Sequence, residues 1–142
     1  MGIMRQGQRV VTGLHARLYR WSGGRIGASA RGIELVLLTT VGRRSGAERV
    51  TPLAAVPWGE NLLLVASNGG AARHPDWYLN LSAEPRVRVQ RGPEVRPMIA
   101  RTAQGAEREA LWQKAIEVNA AFDGYRHKTD RELPVVVCEP SG

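Results

Sequence analysis

The chain has 142 residues and a mass of 15.6 kDa, with 43% hydrophobic residues and a formal net charge of +7. This length predicts one domain with a buried core, and no apolar run approaches the ~20 residues that a membrane-spanning helix needs. The N-terminus lacks the apolar segment of a secretory signal, and the single cysteine, Cys138, excludes an internal disulfide. These features favour a cytoplasmic location.

The positive charge is concentrated at the start of the chain. Residues 1–50 contain nine arginines and two glutamates, so they carry the whole excess, while basic and acidic residues balance in the remainder. Such a local field indicates an anionic partner. A phosphorylated cofactor, a membrane surface and nucleic acid all meet that description, and charge alone does not choose among them.

Helical spacing marks the N-terminal segment, residues 5–21. Val11, Leu14, Leu18 and Trp21 follow one another at intervals of three or four, with arginines on the opposite side. We therefore predict that residues 1–30 form a basic amphipathic helix and a link, and that residues 31–142 form the main domain. The helix either packs on that domain or lies on anionic lipid.

Short apolar runs then predict strands over residues 33–40, 49–56 and 62–66. The connections are too short for crossover helices, so these strands are expected to be antiparallel. Pro52 lies inside the second run and predicts an edge position or a bulge, because proline has no N–H to donate.

The second half alternates helices and strands. The sequence predicts a short helix from residue 74 to 84, strands at 87–89 and 95–103, and a helix over 105–121. A loop carrying Phe122, Tyr125, His127 and Asp130 precedes a last strand at 134–139. The expected fold is mainly β with flanking helices, in a closed or split β-barrel.

No standard catalytic set is evident in the sequence. His15, His74 and His127 lie far apart with no cysteine or carboxylate at ligand spacing, so no metal site is predicted. Cys138 follows three valines, which favours a buried thiol over a nucleophile. A protein with a groove but no acid, base or nucleophile often relies on a cofactor for its chemistry.

Two turns are the strongest candidates for a binding site. Residues 42–46 (GRRSG) place Arg43 and Arg44 between glycines, and residues 68–70 (NGG) form a glycine-rich turn. With Arg49 and Trp77 they offer guanidinium groups, backbone N–H groups and a flat aromatic ring. This combination predicts a groove for a long ligand with an anionic end and a planar ring. The alternatives are a solvated basic hairpin, and a Trp77 that serves only the core.

Several motifs also resemble the deazaflavin-dependent nitroreductase family. They are residues 37–46 (LLTTVGRRSG), 49–53 (RVTPL), 66–70 (ASNGG), 74–80 (HPDWYLN) and 129–140 (TDRELPVVVCEP). The resemblance implies a split β-barrel related to FMN-binding folds. It also implies the deazaflavin coenzyme F420, which carries a phosphodiester and a polyglutamate tail. In such enzymes the reduced coenzyme gives a hydride to an electron-poor acceptor such as a quinone, an enone or a nitroaromatic compound.

The resemblance further implies which residues contact the coenzyme. Arg43, Arg44, Ser45 and Arg49 would hold the anionic tail and phosphate. The remaining contacts would come from Gly46, Thr51, Pro52, Ala66, Ser67, Asn68, Gly69, Gly70, His74, Trp77 and Asn80.

Two departures from the family pattern matter. Relatives often carry lysine where this chain has Asn68, which implies that one anion contact is weakened, and Arg73 is the candidate to compensate for it. Only Tyr125 remains where the nitroimidazole-reducing member has several tyrosines. Tyr125 and Ser67 are therefore the candidates for orienting the acceptor or supplying a proton.

Other functions remain open from the sequence. An enzyme of the same fold could use flavin mononucleotide, and a non-catalytic member could bind lipid or carry a cofactor. Nucleic-acid binding is disfavoured, because no recognisable module places aromatic residues among the basic ones. The expected partners are a small-molecule acceptor and, if the N-terminal helix contacts lipid, an anionic membrane surface; the chain is expected to be a monomer or a homodimer.

Overall fold

The structure, a computed structural model, describes residues 9–10, 29–30 and 32–141. Its strands are β1 (Arg9–Val10), β2 (Ser29–Ala30), β3 (Ile33–Val41), β4 (Glu48–Trp58), β5 (Asn61–Val65), β6 (Arg86–Arg91), β7 (Glu94–Thr102) and β8 (Val135–Pro140). Its helices are α1 (Asp76–Ala83), α2 (Gly105–Val118) and α3 (Ala121–Arg126), with a 3-10 turn at Asn68–Gly70.

Six of the strands close into a barrel. Their order is β7-β6-β3-β4-β5-β8, and β8 pairs back onto β7. Every pairing is antiparallel, as the short connections predicted. The prediction of a mainly β barrel with flanking helices is therefore confirmed.

Alternation along the strands separates two hydrophobic cores. On β5, Leu62 and Leu64 join one core while Leu63 and Val65 join the other. The first core receives residues from all six barrel strands and fills the barrel interior, together with Trp77 of α1. Full burial of each such aliphatic side chain contributes about 1.5–3 kcal/mol, so the barrel interior is a major source of stability.

The second core lies on the outer face of β5 and β8. Leu111, Trp112 and Ala115 of α2 and Phe122 of α3 pack there against the strands. The two helices thus cover one side of the barrel, while α1 packs into its first core.

Pro52 lies in the first part of β4. That part pairs only with β3, whereas residues 56–58 pair with β5. One side of the strand at Pro52 therefore has no partner strand in the part of the chain that the structure describes. This agrees with the predicted edge position.

The N-terminal segment differs from the predicted helix and link where the structure describes it. Arg9–Val10 pairs with Val95 and Glu94 of β7, and Ser29–Ala30 pairs with the start of β3. At these points β7 has β6 on one side only and β3 has β4 on one side only, so backbone groups on the other side are open to a partner. The rest of the predicted helix over residues 5–21 lies outside the described residues.

The predicted loop after α2 contains a helix. α2 ends at Val118, three residues earlier than predicted, and α3 follows at Ala121–Arg126. Phe122 anchors α3 in the second core, and the Arg126 guanidinium contacts the Asp123 carboxylate at 2.7 Å, one turn earlier. A helix of six residues is too short to show the periodic spacing of apolar residues from which a helix is predicted.

Cys138 is fully buried in β8, and burial raises the pKa of its thiol to about 12. We expect a thiol reagent to modify Cys138 only when the protein unfolds, which mass spectrometry after labelling with and without denaturant measures. A cysteine of raised pKa contributes stability that is complete below the unfolded pKa near 9 and is lost as the pH rises towards 12. Rapid labelling of the native protein at neutral pH would contradict the burial.

Candidate functional site

The basic turn between β3 and β4 is closed by backbone hydrogen bonds. The Gly42 N–H donates to the Ala47 carbonyl at 2.7 Å, and the Gly46 N–H donates to the Gly42 carbonyl at 2.8 Å. The Ser45 hydroxyl oxygen accepts from the Ala47 N–H at 3.1 Å. A Cβ on Gly42 would lie 2.9 Å from that hydroxyl oxygen and 3.1 Å from the Ala47 carbonyl oxygen, so a side chain there would crowd the turn. The Ser45 side chain therefore stabilises the turn through a hydrogen bond inside it.

Arg43 joins this turn to α1. Its backbone N–H and its Nη1 both donate to Asn80 Oδ1, at 3.2 and 2.9 Å, and its Nη2 donates to Asp76 Oδ1 at 3.3 Å. The buried Asn80 in turn donates to the Thr40 hydroxyl at 3.2 Å. Much of the hydrogen-bonding capacity of Arg43 is thus used within the protein.

A groove of about 630 Å³ lies between the basic turn and α1. Arg44 and Arg49 line it, and neither forms a hydrogen bond or an ion pair with any residue that the structure describes. Glu48 also lines the groove, but its carboxylate is paired with Arg88 at 2.7 Å. Two guanidinium groups are therefore available to an anion that enters the groove.

Trp77 has a place in both the core and the groove. It is buried in the barrel interior, yet it also contributes to the groove lining. The Tyr78 ring meets it edge-on, with centroids 6.3 Å apart at 89°. The core position of Trp77 is therefore shown, and its service as a platform for a planar ring stays a prediction.

The second turn has a tightly constrained backbone. Asn68, Gly69 and Gly70 have φ of 48°, 63° and 85°, in the left-handed region. The Gly70 N–H donates to the Ser67 carbonyl at 2.8 Å, and Asn68 Nδ2 donates to the Arg73 carbonyl at 3.0 Å. The backbone N–H groups of Ser67, Asn68 and Gly69 have no acceptor among the residues described.

A second cavity of about 490 Å³ adjoins the groove. Its lining includes Asn68, Arg73 and His74, and it shares Asp76 with the groove. The His74 ring lies 5.0 Å from the Tyr78 ring, and its Nδ1 is 3.0 Å from Nη1 of Arg131. Burial and the positive charge of Arg131 both lower the pKa of His74, so the imidazole is neutral at neutral pH.

Sequence reasoning did not single out Arg131 as a site residue. It lies in the loop before β8 and donates to the carbonyls of Ala66, Ser67 and Ala71. It belongs to the last family-like motif, residues 129–140, but nothing in that motif indicates what a guanidinium would contact. Only the fold brings this loop against the second turn.

The predicted site residues divide among three places. Arg43, Arg44, Ser45, Arg49, Thr51, Trp77 and Asn80 line the groove. Asn68 and His74 line the second cavity. Seven lie in neither lining: Gly46, Pro52, Ala66, Ser67, Gly69, Gly70 and Tyr125.

Tyr125 and Ser67 both lie next to the second turn. Tyr125, on α3, packs against the second core, and its carbonyl oxygen lies 3.0 Å from where a Cβ on Gly70 would be. Ser67 is buried beside the same turn, and its hydroxyl has no hydrogen-bond partner among the described residues. Groove residues that the sequence did not single out include Asp76 and Glu48.

Asp76 is the negative charge nearest to Arg43 in the groove. Its carboxylate is largely exposed, so its ion pair contributes only about 0–1 kcal/mol to stability. We expect Asp76→Asn to leave the melting temperature nearly unchanged and to tighten the binding of an anionic ligand a few-fold, because it removes repulsion from the groove. Titration of both proteins with the same ligand at low salt measures this. Weaker binding would show that alignment of Arg43 by Asp76 outweighs the repulsion.

Other kinds of site find no support in the described residues. No three side chains among His, Cys, Asp and Glu in the described chain are grouped so that they could hold a metal ion. None of the helices described is both long enough and apolar enough to cross a bilayer.

The barrel and its basic groove define a cofactor-binding split-barrel protein. Over residues 11–140 the chain matches the model of the F420H(2)-dependent quinone reductase family. It is 38% identical to the F420H(2)-dependent quinone reductase Rv1261c of Mycobacterium tuberculosis (strain ATCC 25618 / H37Rv) over 128 residues, which cover 87% of this chain and 86% of the relative.

Solved structures give the same result. A structure titled as an F420-H2 dependent reductase (FDR-A) is 44% identical with a TM-score of 0.68, covering 77% of this chain and 95% of that chain. Another, described as a domain-swapped dimer, is 37% identical with a TM-score of 0.70, covering 89% and 96%.

The chain belongs to the F420H(2)-dependent quinone reductase family. It is an oxidoreductase that uses coenzyme F420 and acts on a small-molecule acceptor. The resemblance to deazaflavin-dependent enzymes is confirmed. The comparisons assign the chain to the quinone reductases and do not confirm the name nitroreductase.

Proposed function

We propose that this protein reduces quinones with F420H2 held in the groove between the basic turn and α1. The observation that supports this most strongly is the pair of exposed guanidinium groups, Arg44 and Arg49, in a groove that is also lined by Trp77. The coenzyme has an anionic tail, which complements the guanidinium groups, and a planar ring, which complements the indole of Trp77. The donor set of the groove therefore fits the coenzyme.

The basic turn would bind the anionic end. Arg44 and Arg49 donate charge-assisted hydrogen bonds to phosphate or carboxylate oxygens, each contributing roughly 1.5–3 kcal/mol. Arg43 contributes differently, because its bonds to Asn80 and Asp76 already set the distance between the turn and α1. Its proposed role is to keep the groove open to the correct width, with part of its charge facing the ligand.

The second turn and Trp77 would orient the ring. When bound, the reduced coenzyme supplies a hydride from its deazaflavin ring, and reduction of a quinone to a hydroquinone takes that hydride and one proton. The protein would align the two molecules and exclude water between them, which accounts for catalysis without a protein nucleophile. Thr51, Pro52, Ala66, Gly69 and Gly70 remain proposed lining residues of that site.

Tyr125 and Ser67 are proposed to orient the acceptor or to supply its proton. A hydroxyl that assists proton transfer contributes typically 10²–10⁴-fold to the rate. We therefore expect Tyr125→Phe to lower kcat at least about tenfold on the best quinone, with coenzyme affinity unchanged. Steady-state kinetics at saturating F420H2 measure both. Unchanged turnover on every accepted substrate would remove Tyr125 from the acceptor site, and Ser67→Ala then tests the second hydroxyl.

The proposed function is tested by mixing the purified protein with F420H2 under anaerobic conditions and adding quinones of increasing size. We expect oxidation of F420H2 that depends on protein and on quinone, measured by the absorbance of the oxidised coenzyme. An enone and a nitroaromatic compound belong in the same panel, because the finer choice of acceptor is part of the proposal.

Two outcomes would favour other functions. Tight binding of flavin mononucleotide with no affinity for F420 would make the protein a flavin enzyme of the same fold. Tight binding of the coenzyme, without oxidation of F420H2 by any acceptor in the panel, would make the protein a cofactor carrier.

Two further features belong to the proposal. We propose that residues 1–24 contact anionic membranes, on the strength of their arginines and Trp21. Liposome co-sedimentation before and after deletion of these residues tests this, and unchanged binding would exclude it. We also propose a homodimer, supported by the similar structure described as a domain-swapped dimer; light scattering at several concentrations tests that.

A further inference from the structure

One guanidinium group contacts the segment that carries the second turn and part of the lining of the second cavity. Arg131 Nε donates to the Ala71 carbonyl at 2.9 Å, Nη1 to the Ala66 carbonyl at 3.2 Å, and Nη2 to the Ser67 carbonyl at 2.8 Å. Nη1 also lies 3.0 Å from His74 Nδ1. The four contacts span residues 66–74, which include the whole second turn.

No other side chain could make this set of contacts. The guanidinium group is planar, carries five N–H donors in a fixed fork and remains protonated in proteins. A lysine has three donors on a single nitrogen. It could therefore reach only some of the four acceptors, which Arg131 contacts through three different nitrogens. All four partners are neutral, and Arg131 forms no ion pair with a carboxylate that the structure describes. The charge of Arg131 is therefore used to hold backbone carbonyls and an imidazole.

The contact with His74 determines the state of its ring. Arg131 can only donate, so Nδ1 of His74 must accept and carry no proton. A neutral ring then has its proton on Nε2, which has no partner among the described residues. The charged groups near this ring are Arg131 and, in the lining of the same cavity, Arg73 and Asp76; the Tyr78 ring packs against it.

The carbonyl contacts determine the orientation of two peptide groups at the second turn. In a trans peptide the C=O and the N–H point in opposite directions. Because Arg131 holds the carbonyls of Ala66 and Ser67, the N–H groups of Ser67 and Asn68 point away from Arg131. These are two of the N–H groups that have no acceptor within the described chain.

We propose that Arg131 is a positioning residue of the coenzyme site, which fixes the second turn and holds His74 as the Nε2–H tautomer. It acts through residues 66–74 and need not touch the coenzyme. The inference rests on the proposed function for its effect on binding, whereas the state of His74 can be measured without any ligand.

The experiment compares Arg131→Met and Arg131→Lys with the parent. We expect the affinity for oxidised F420 to fall roughly ten- to a hundredfold in both variants, because a displaced turn misaligns the groups that it carries. Arg131→Lys should retain more affinity than Arg131→Met, since one ammonium can satisfy part of the acceptor set. The kcat at saturating coenzyme should fall as well, because the same turn carries Ser67.

Arg108 provides the matched control. Its guanidinium also holds the loop before β8, donating to the Leu133 carbonyl at 2.7 Å, but it makes no contact with residues 66–74 that the structure describes. Arg108→Met should therefore leave the F420 affinity unchanged even where it lowers the melting temperature. Equal losses of affinity in the Arg108 and Arg131 variants would reduce the role of Arg131 to general stability and overturn the inference.

Nitrogen NMR tests the His74 state, and its main readout, the tautomer in the unmodified protein, does not depend on any variant folding. We expect a neutral ring with the proton on Nε2 at neutral pH and, in Arg131→Lys, a shift in its titration. A proton on Nδ1 of the parent would overturn the inference. If the parent shows the expected tautomer but binds no F420, the proposed function fails while the arrangement around Arg131 stands.

Discussion

Replacing Arg44 and Arg49 together by glutamine should weaken coenzyme binding about a hundredfold or more and leave the fold intact. The two side chains are exposed and unpaired within the described chain, so their removal breaks no native contact there. Loss of two charge-assisted hydrogen bonds costs roughly 3 kcal/mol or more, and 1.4 kcal/mol corresponds to tenfold. Fluorescence titration with oxidised F420, alongside thermal unfolding of each protein, measures both quantities.

A second pair of substitutions separates this local effect from the change in overall charge. Arg86 and Arg96 lie outside the groove and pair with Glu84 and Glu94. Arg86→Gln combined with Arg96→Gln removes the same net charge, and it should leave the affinity for F420 nearly unchanged. If both double variants weaken binding equally, the affinity depends on the overall positive charge of the protein and not on specific contacts in the groove.

Gly70→Ala should be the most destabilising single substitution in the candidate site. Gly70 has φ of 85°, and an added Cβ would lie 2.8 Å from the Cβ of Lys128 and 3.0 Å from the Tyr125 carbonyl oxygen. A left-handed backbone costs a residue with a side chain about 1–3 kcal/mol, and overpacking adds about 1–3 kcal/mol. We expect a loss of about 3 kcal/mol or more in the free energy of unfolding, measured by urea denaturation.

The neighbouring glycine gives the control for the clash. Gly69 has φ of 63°, but a Cβ there would meet no atom within 4 Å. Gly69→Ala should therefore pay only the backbone cost and lose about 1 kcal/mol. Equal losses at the two positions would mean that α3 moves freely away from the turn. In that case the contact of Gly70 with Tyr125 and Lys128 would not hold the turn in place.

The barrel could be predicted from the sequence because its signals are local. Short apolar runs predict strands, short connections predict that they are antiparallel, and Pro52 predicts an edge position or a bulge, each without reference to the rest of the chain. The basic turn was also predictable, because Arg43 and Arg44 stand between glycines. In such a turn the charged groups and the glycines are adjacent in the sequence, so the turn can be recognised without knowledge of the fold.

The partners across the fold could not be predicted. Arg43 and Arg44 are equivalent in the sequence, yet Asn80 and Asp76, more than thirty residues away, bind one and leave the other exposed. Arg131 lies about sixty residues from the carbonyls that it binds. The pairing of Arg9–Val10 with β7 likewise depends on an open strand side that exists only in the barrel.

The central claim is that the basic turn holds the anionic end of F420. The most direct test compares full F420 with the deazaflavin chromophore alone, which lacks the phosphodiester and the glutamate tail, on the parent and on the Arg44→Gln, Arg49→Gln variant. The parent should bind full F420 at least about a hundredfold more tightly than the chromophore, and the variant should lose most of that difference. A parent that binds both molecules equally, or a variant that keeps the whole difference, would contradict the claim.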